Sequence, residues 1–292
     1  MRLPKNLFPI PSGIGVMGIN ARNLDMIYPY NRRNCFPNVD DKLLCKRLLQ
    51  QNDIPTAVTY HVVADPPSLR NWEDKLAGVD HFVVKPNTGY GGNGIVLVTR
   101  RDGRYYISGE PVTREDIDFH IMQILNGAFS LDNLADTAFF EHKLVNHPGI
   151  QAFIPPEIEG VGDVRLIYRQ EQIVMAMLRL PTRESGGKAN LHQGGLGVGI
   201  DLDTGCSLHG SHRNNVITHH PETHEPLKGR PVPFFRDMLT YGARISDIVG
   251  LGYIGVDFVC DRDHGPMVLE VNARPGLNIQ IANQAGLRDR LI

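Results

Sequence analysis

Apolar positions along the chain recur with two different periods, and the changes of period mark the elements. Behind Asp40 as an N-cap, Asp41 to Gln51 carries Leu43, Leu44, Leu48 and Leu49 on one helical stripe that stops at Asn52-Asp53. Strand-like runs follow at Ala57–Val63, His81–Lys85 and Ile95–Arg100, and Asp102-Gly103 marks a tight hairpin into RYYIS. Thr113 with Asp116 reads as a capping box opening a helix to about Leu125, and a further strand spans Thr137–Leu144. Beyond it, DVRLIYR and IVMAMLRL form a hairpin about Gln170–Gln172, and VGIDL and SLHGSH form another about Asp203-Thr204-Gly205. An amphipathic helix from about Pro233 to Val249 carries Phe234, Met238, Ile245, Ile248 and Val249, closed by Gly250 or Gly252. Residues 1–39 show no sustained period and read as an irregular lead-in. The pattern predicts an α+β protein: residues 40–292 form two lobes, about 40–144 and about 145–292, with the boundary near Leu144 to Pro156.

The most informative segment is Gly252–Gly276, two β-rich runs around the polar turn RDHG. A hairpin symmetric about Asp263-His264 sets Asp257 opposite Glu270. Alternation then puts Val256, Phe258, Met267, Leu269 and Val271 toward a core, and Asp257, Glu270 and Asn272 on the other face beside Gly255. Two directly opposed carboxylates destabilise a ladder unless a cation or a shared proton compensates. With an asparagine amide they make an all-oxygen donor set suited to Mg²⁺. The plainer reading of the same residues is a solvated polar face.

A second signal is the run Lys85 to Gly94, in which Gly89, Gly91, Gly92 and Gly94 flank Tyr90 and Asn93. Such glycines let backbone N–H groups close on an anion. It lacks GxxxxGK[ST] and runs into a strand, so it is neither a P-loop nor a dinucleotide fingerprint. It fits a strand–loop–strand flap with Lys85 at its entry, where a buried ammonium calls for an anion such as phosphate. No protein-kinase HRD or DFG accompanies it.

Composition narrows the class further. Thirty basic against 32 acidic residues leave a net charge of −2, so no global field recruits nucleic acid or an anionic membrane. Four separated cysteines without a CxxC pair argue for a reducing, cytoplasmic setting over a disulfide scaffold. No apolar run is long enough for membrane insertion, and Pro9 and Pro11 break up the N-terminal run that superficially suggests a signal peptide.

Five stretches in order, DDKLLCKRLLQQNDIPTA, FVVKPNTGYGGNG, GDVRLIYR, ANLHQGGLG and GVDFVCDRDHGPMVLEVNARPG, resemble the ATP-grasp superfamily, in particular its RimK-related alpha-L-glutamate ligase-like branch. The resemblance spans about residues 38–286. It implies two α+β lobes enclosing ATP; ligases of that branch typically begin with a fuller domain, which residues 1–39 do not replace. The implied enzyme is an ATP-grasp ligase in which ATP phosphorylates a carboxylate and an amine, such as glutamate, displaces the phosphate. ATP and Mg²⁺ (or Mn²⁺) are the implied cofactors.

Carried over residue by residue, Lys42 and Lys85 touch the ATP phosphates, and Gly89, Tyr90, Gly91, Gly92 and Gly94 lie in the flap. Glu141, His142, Lys143 and Leu144 fall at the adenine, held largely by backbone groups. Asp257, Glu270 and Asn272 match the metal ligands, and Arg165 and Asn190 lie near the transferred phosphoryl group. Arg274 and Gln193 depart from that branch; Arg274, next to the metal face, is a candidate clamp for the reacting carboxylate.

Rival readings are a nucleotide-binding regulatory module, an ATP-grasp kinase, and an ATP-grasp enzyme of sugar or cell-envelope chemistry. NLHQGGLGVGIDLDTG also resembles sugar-transfer-associated ATP-grasp proteins. The short lead-in suggests that a second protomer or partner chain completes the acceptor site. His209, His212, His219, His220 and His224 match no helix-borne or finger-type metal spacing and read as loop residues. Trp72 reads as a packing residue.

Overall fold

The computed structural model describes residues 15–130 and 133–291; the opening part of the lead-in, with the first part of the apolar run from Leu7, lies outside them. The chain divides into two compact units, one of Asp41–Leu43 with Ala57–Leu144, the other of Met1–Asp40, Leu44–Thr56 and Val145–Ile292.

The smaller unit is built on an antiparallel sheet of order β1-β6-β2-β3-β4-β5. Its strands are β1 Thr59–Val63, β2 His81–Pro86, β3 Val96–Arg101, β4 Arg104–Ile107, β5 Glu110–Val112 and β6 Ala138–His142. Asp102 and Gly103 both take positive φ (49° and 73°), the mirror-image turn that suits a two-residue hairpin. The helix Arg114–Leu125 opens on the expected capping box: Thr113 accepts from the Asp116 N–H, and the Asp116 carboxylate accepts from the Thr113 N–H. Its Ile117, Ile121 and Ile124 pack with Phe82, Val84, Phe140 and Trp72. Trp72 is fully buried, stacked on Phe140 at 5.1 Å with its Nε1–H donated to Asp118, so it is a packing residue.

The larger unit carries an antiparallel sheet of order β11-β10-β9-β8-β7-β12-β13. The strands are β7 Asp163–Arg169, β8 Gln172–Leu180, β9 Leu196–Ile200, β10 Ser207–His212, β11 Asn215–Ile217, β12 Tyr253–Asp261 and β13 Gly265–Asn272. The helix Phe235–Val249 covers it through Met238, Ile245 and Val249, ending on Gly250 at φ 72°. Gly242 lets Tyr168 in: a Cβ there would stand 2.4 Å from the phenol oxygen.

Two expectations are corrected. The β12–β13 pairing is symmetric only from Asp257 back to Gly255; between Asp257 and Phe258 the register shifts, and Phe258 pairs with Val268. Leu269 is the extra residue of a bulge, and one extra residue reverses the alternation beyond it. Val268 therefore joins Val256, Phe258 and Val271 in the core, where Leu269 was expected, while Met267 is buried as the pattern put it. The turn has three residues, with Asp261 accepting from the Asp263 and His264 N–H groups.

The described part of the lead-in is also not irregular. It forms short helical turns at Ile19–Arg22, Asn23–Ile27, Tyr28–Tyr30, Arg33–Cys35 and Pro37–Asp40, the last of them just ahead of the helix Lys42–Gln50. Met17, Met26 and Ile27 are buried against Tyr253 and Ile279. Turns this short leave no readable period, and their anchors are distant in sequence.

Candidate active site

β12 lies between β7 and β13, and the three strands bring charged residues onto one level. Asp257 pairs with Glu270 on one side and Arg165 on the other, and Gly255 pairs with Asn272. Arg165 grips Asp257 with two prongs, Nε to Oδ1 at 2.7 Å and Nη2 to Oδ2 at 2.6 Å. Arg179, on β8, donates Nη2 to the same Oδ2 at 2.6 Å and Nε to Asp163 Oδ1 at 2.6 Å. Asp257 has no exposure, and the side chains of Asp163, Arg165 and Arg179 are nearly as buried.

Burial opposes ionisation of Asp257, but the two guanidiniums outweigh it and hold its carboxyl below the usual range. Burial dominates at Asp163 and pushes its carboxyl up to about 6, with Arg179 opposing the rise. The charge of Asp257 is thus compensated by arginines, where the sequence reading invoked a cation or shared proton. Asp163 and Arg179 escaped that reading, although a charged residue inside each of two apolar strand runs was a signal, since buried charges are paired.

Glu270 is only partly buried, and its carboxylate has no hydrogen-bond partner among the described residues. Asn272 donates Nδ2 to Asp257 Oδ2 at 3.3 Å. The donor chemistry fits a hard divalent cation: a free carboxylate at Glu270, the Asn272 amide oxygen, and a remaining lone pair on Asp257 Oδ1. Among the described residues no three His, Cys, Asp or Glu side chains form a metal-binding group, so such an ion would draw its other ligands from outside the protein.

Arg274 stands apart from this ion-pair network, exposed, with its guanidinium 4.3 Å from the Phe36 ring centroid. Asn190 accepts from the His192 N–H and so caps the turn Leu191–Gln193, making no hydrogen bond to the Arg165–Asp257 pair. Of the late histidines, His212 contacts the Gly194 carbonyl at 3.2 Å and His219 the Thr218 hydroxyl at 2.9 Å. The buried His220 uses Nδ1 to accept from Glu222 and Thr223 N–H groups, which leaves no free lone pair there for a metal. A cleft of about 630 Å³ opens at the far end of β7, lined by Arg32, Arg169, Glu171 and Asp247. It is roughly 13 Å along the strand from Arg165 and carries none of the chemistry above.

In the smaller unit, Lys85 closes β2 and pairs with Glu141 on β6 at 2.5 Å, both buried. The anion beside Lys85 in this structure is therefore this carboxylate. His142 bonds the Tyr60 hydroxyl through Nδ1 at 2.8 Å; Lys143 is half-buried and Leu144 buried. β2 and β3 pair directly on either side of the glycine loop, as a flap would. Gly91, Gly92 and Gly94 take φ of 64°, 77° and 74°, and a Cβ on Gly94 would collide with Phe129 at 2.6 Å. Gly89 is buried against Pro86, and Tyr90 is exposed. Lys42 donates its ammonium to the carbonyls of Asn87 and Gly89 at the base of the loop. Asp136 accepts from the Thr88 N–H beside it.

Two antiparallel sheets with their helices in this order define the ATP-grasp fold. D-alanyl-alanine synthetase A from Vibrio cholerae shares it, at 13% identity over 88% of this chain and 63% of that one, with a TM-score of 0.53. The chain belongs to the sugar-transfer associated ATP-grasp family, whose model matches residues 21–292. Other similar structures are D-alanine–D-alanine ligase from Bacillus anthracis complexed with ATP (14% identity, 88% and 65% coverage, TM-score 0.48) and the ATP-grasp ligase PsnB complexed with minimal precursor (18%, 85% and 56%, 0.43). The chain thus spans little more than half the length of PsnB. No curated protein matches it in sequence. Among the described residues, no helix is long and apolar enough to cross a membrane.

Proposed function

We propose that this protein is an ATP- and Mg²⁺-dependent ligase that joins a carboxylate to an amine. The observation that carries the reading is the one face of the sheet on which Asp257, Glu270 and Asn272 meet Arg165, in a chain of ATP-grasp fold. In the proposed reaction a carboxylate oxygen of the acceptor attacks the γ-phosphorus of ATP, and ADP leaves. The amine then attacks the acyl carbon, phosphate departs, and the nitrogen loses a proton as the amide forms.

Asp257, Glu270 and Asn272 would hold Mg²⁺, which supplies charge neutralisation on the phosphates. Arg165 is fixed by both of its Asp257 bonds, and its Nη1 has no acceptor among the described residues, so it can donate to an oxygen that gains charge. The two units are read as the two lobes of the fold. Lys85, Lys42 and the Gly89–Gly94 flap are read as the phosphate-binding elements of the smaller one. Nucleotide binding on that reading draws Lys42 and Lys85 from loop carbonyls and Glu141 to phosphate. Asn190 and the Glu141–Leu144 segment keep their assigned places near phosphoryl and adenine as part of the same proposal.

The RimK-related branch, with an amino acid such as glutamate as the amine, rests on the sequence resemblance alone. Family membership favours the second reading, a ligase of sugar or cell-envelope chemistry. The test is mass spectrometry after incubation with ATP, Mg²⁺, nucleotide-depleted cell extract, and pooled amino acids in one arm or pooled amino sugars in the other. A product heavier by the amine minus water, formed with ADP and absent in Glu270→Gln, is the expected result. ADP and product unchanged in Glu270→Gln would overturn the role of this face, and bound ATP with no product in either arm would favour a regulatory module.

A further inference from the structure

The lead-in, given no chemistry by its sequence, converges on the turn Ala273–Gly276 that leaves the metal face. Asn31, buried, donates Nδ2 to the Tyr253 carbonyl at 2.8 Å and the Ala273 carbonyl at 3.1 Å, and its Oδ1 accepts the Tyr253 N–H at 2.8 Å. Arg22 donates Nη1 to the Pro275 carbonyl at 3.0 Å and the Arg274 carbonyl at 3.4 Å. Its Nε and Nη2 are anchored on Asn23 Oδ1 at 3.2 and 2.9 Å. Phe36 lies under the Arg274 guanidinium at 4.3 Å. The backbone of the turn is thereby held from two sides, and the side chain of Arg274 from its face.

What this arrangement leaves unused is the edge of the Arg274 guanidinium. It is exposed and donates to no acceptor among the described residues. Stacking occupies the face of a guanidinium and leaves its N–H fork free for a carboxylate or phosphate. The charged group nearest in character is another cation: burial and the Arg274 charge both lower the proton affinity of Arg22. Two guanidiniums close together, with no carboxylate bonded between them, are relieved by accepting an anion.

We propose that Phe36, Arg22 and Asn31 are positioning residues that hold Arg274 as an anion-receiving fork for the acceptor substrate, through its carboxylate or a phosphoryl group. The proposal rests on the ligase reading for the word acceptor; the anion site itself is independent of it.

The test is a titration of the arginine Nε–Hε signals of the full chain by NMR, with the Arg274 signal assigned from its loss in Arg274→Lys. Sodium acetate and inorganic phosphate are added separately at constant ionic strength, without ATP. The Arg274 signal is expected to shift saturably. Phe36→Leu should weaken that binding about fivefold at unchanged melting temperature, and Phe36→Tyr should restore it. If Phe36→Leu melts lower, Arg22→Gln carries the same expectation. Saturation by acetate alone identifies a carboxylate and by phosphate alone a phosphoryl group; either supports the fork. An Arg274 signal that neither anion moves, or a Phe36→Leu titration matching wild type, overturns it. Anion binding without ATP-dependent product would sink the ligase reading alone, and product formation with an unresponsive Arg274 would sink this one alone.

Discussion

Replacing Arg179 by methionine removes one of two guanidiniums from Asp257 and the one bonded to Asp163. Asp257 keeps both bonds to Arg165, so the stranded charge is Asp163. Breaking a buried pair by deleting one partner costs about 3–5 kcal/mol. At about 2–4 °C per kcal/mol for a unit of this size, Arg179→Met should melt roughly 10 °C lower at pH 8.

A proton can replace the missing cation, and this gives the deficit a pH signature. The Asp163 carboxyl stands at about 6 with Arg179 present, above its ordinary value. A raised carboxyl binds its proton more tightly in the folded chain, so its contribution to stability is full below the ordinary carboxylate range and is lost as pH rises through about 6. Without Arg179 the folded value moves further up. The deficit should therefore be small near pH 5 and largest near pH 8. Calorimetric melts of wild type, Arg179→Met and the double variant with Asp163→Asn, across that range, read both effects. The double variant should recover most of the loss at pH 8 and flatten the pH dependence. A single variant that melts like wild type at pH 8, or a deficit larger in acid than in base, would refute the reasoning.

Two further predictions concern the smaller unit. Lys85→Met removes the ammonium paired with the buried Glu141 carboxylate and should destabilise by about 3–5 kcal/mol in guanidinium unfolding, while Lys85→Met with Glu141→Leu should recover most of it. A single variant as stable as wild type would mean that the Lys85–Glu141 pair contributes little to the fold. Thr113→Ala breaks the capping box on the helix Arg114–Leu125 and should cost about 1 kcal/mol, seen as a small drop in melting temperature. No measurable change would mean that solvent satisfies that helix end equally well.

What was legible in the sequence follows the range of the interaction. The capping box, the Asp102-Gly103 turn and the β7–β8 hairpin are fixed by residues a few positions apart, and each stands where the pattern put it. The face shared by Asp257, Glu270 and Asn272 was also legible, because alternation along one hairpin determines it. The bulge at Leu269 was not, since no residue type announces one extra position and the turn looked symmetric. The partners of Asp257 and Lys85 were hidden for a different reason. Arg179 and Glu141 are brought in from strands far along the chain, and nothing in the sequence paired either with its partner beyond its being a charge inside an apolar run. The lead-in is the extreme case: Asn31 reaches Tyr253 and Ala273, and Gln280 reaches Met17, over more than two hundred residues.

These distant partners divide the labour of the acidic face. Asp163, Arg179, Asp257 and Arg165 form an alternating chain of carboxylates and guanidiniums across three strands, two of each sign, which needs no further ion. Glu270 stands beside it within the field of Arg179 but without a hydrogen-bond partner among the described residues, so it is the carboxylate of the face left open to a ligand. An arriving divalent cation would therefore be drawn first to Glu270. Asp257, with two guanidiniums lowering its basicity, would serve chiefly to orient Arg165 and the strand beneath. On this argument the two carboxylates that look equivalent in sequence are not interchangeable. Glu270→Gln should abolish cation affinity while leaving the fold intact, whereas Asp257→Asn should loosen both arginines and disturb stability first.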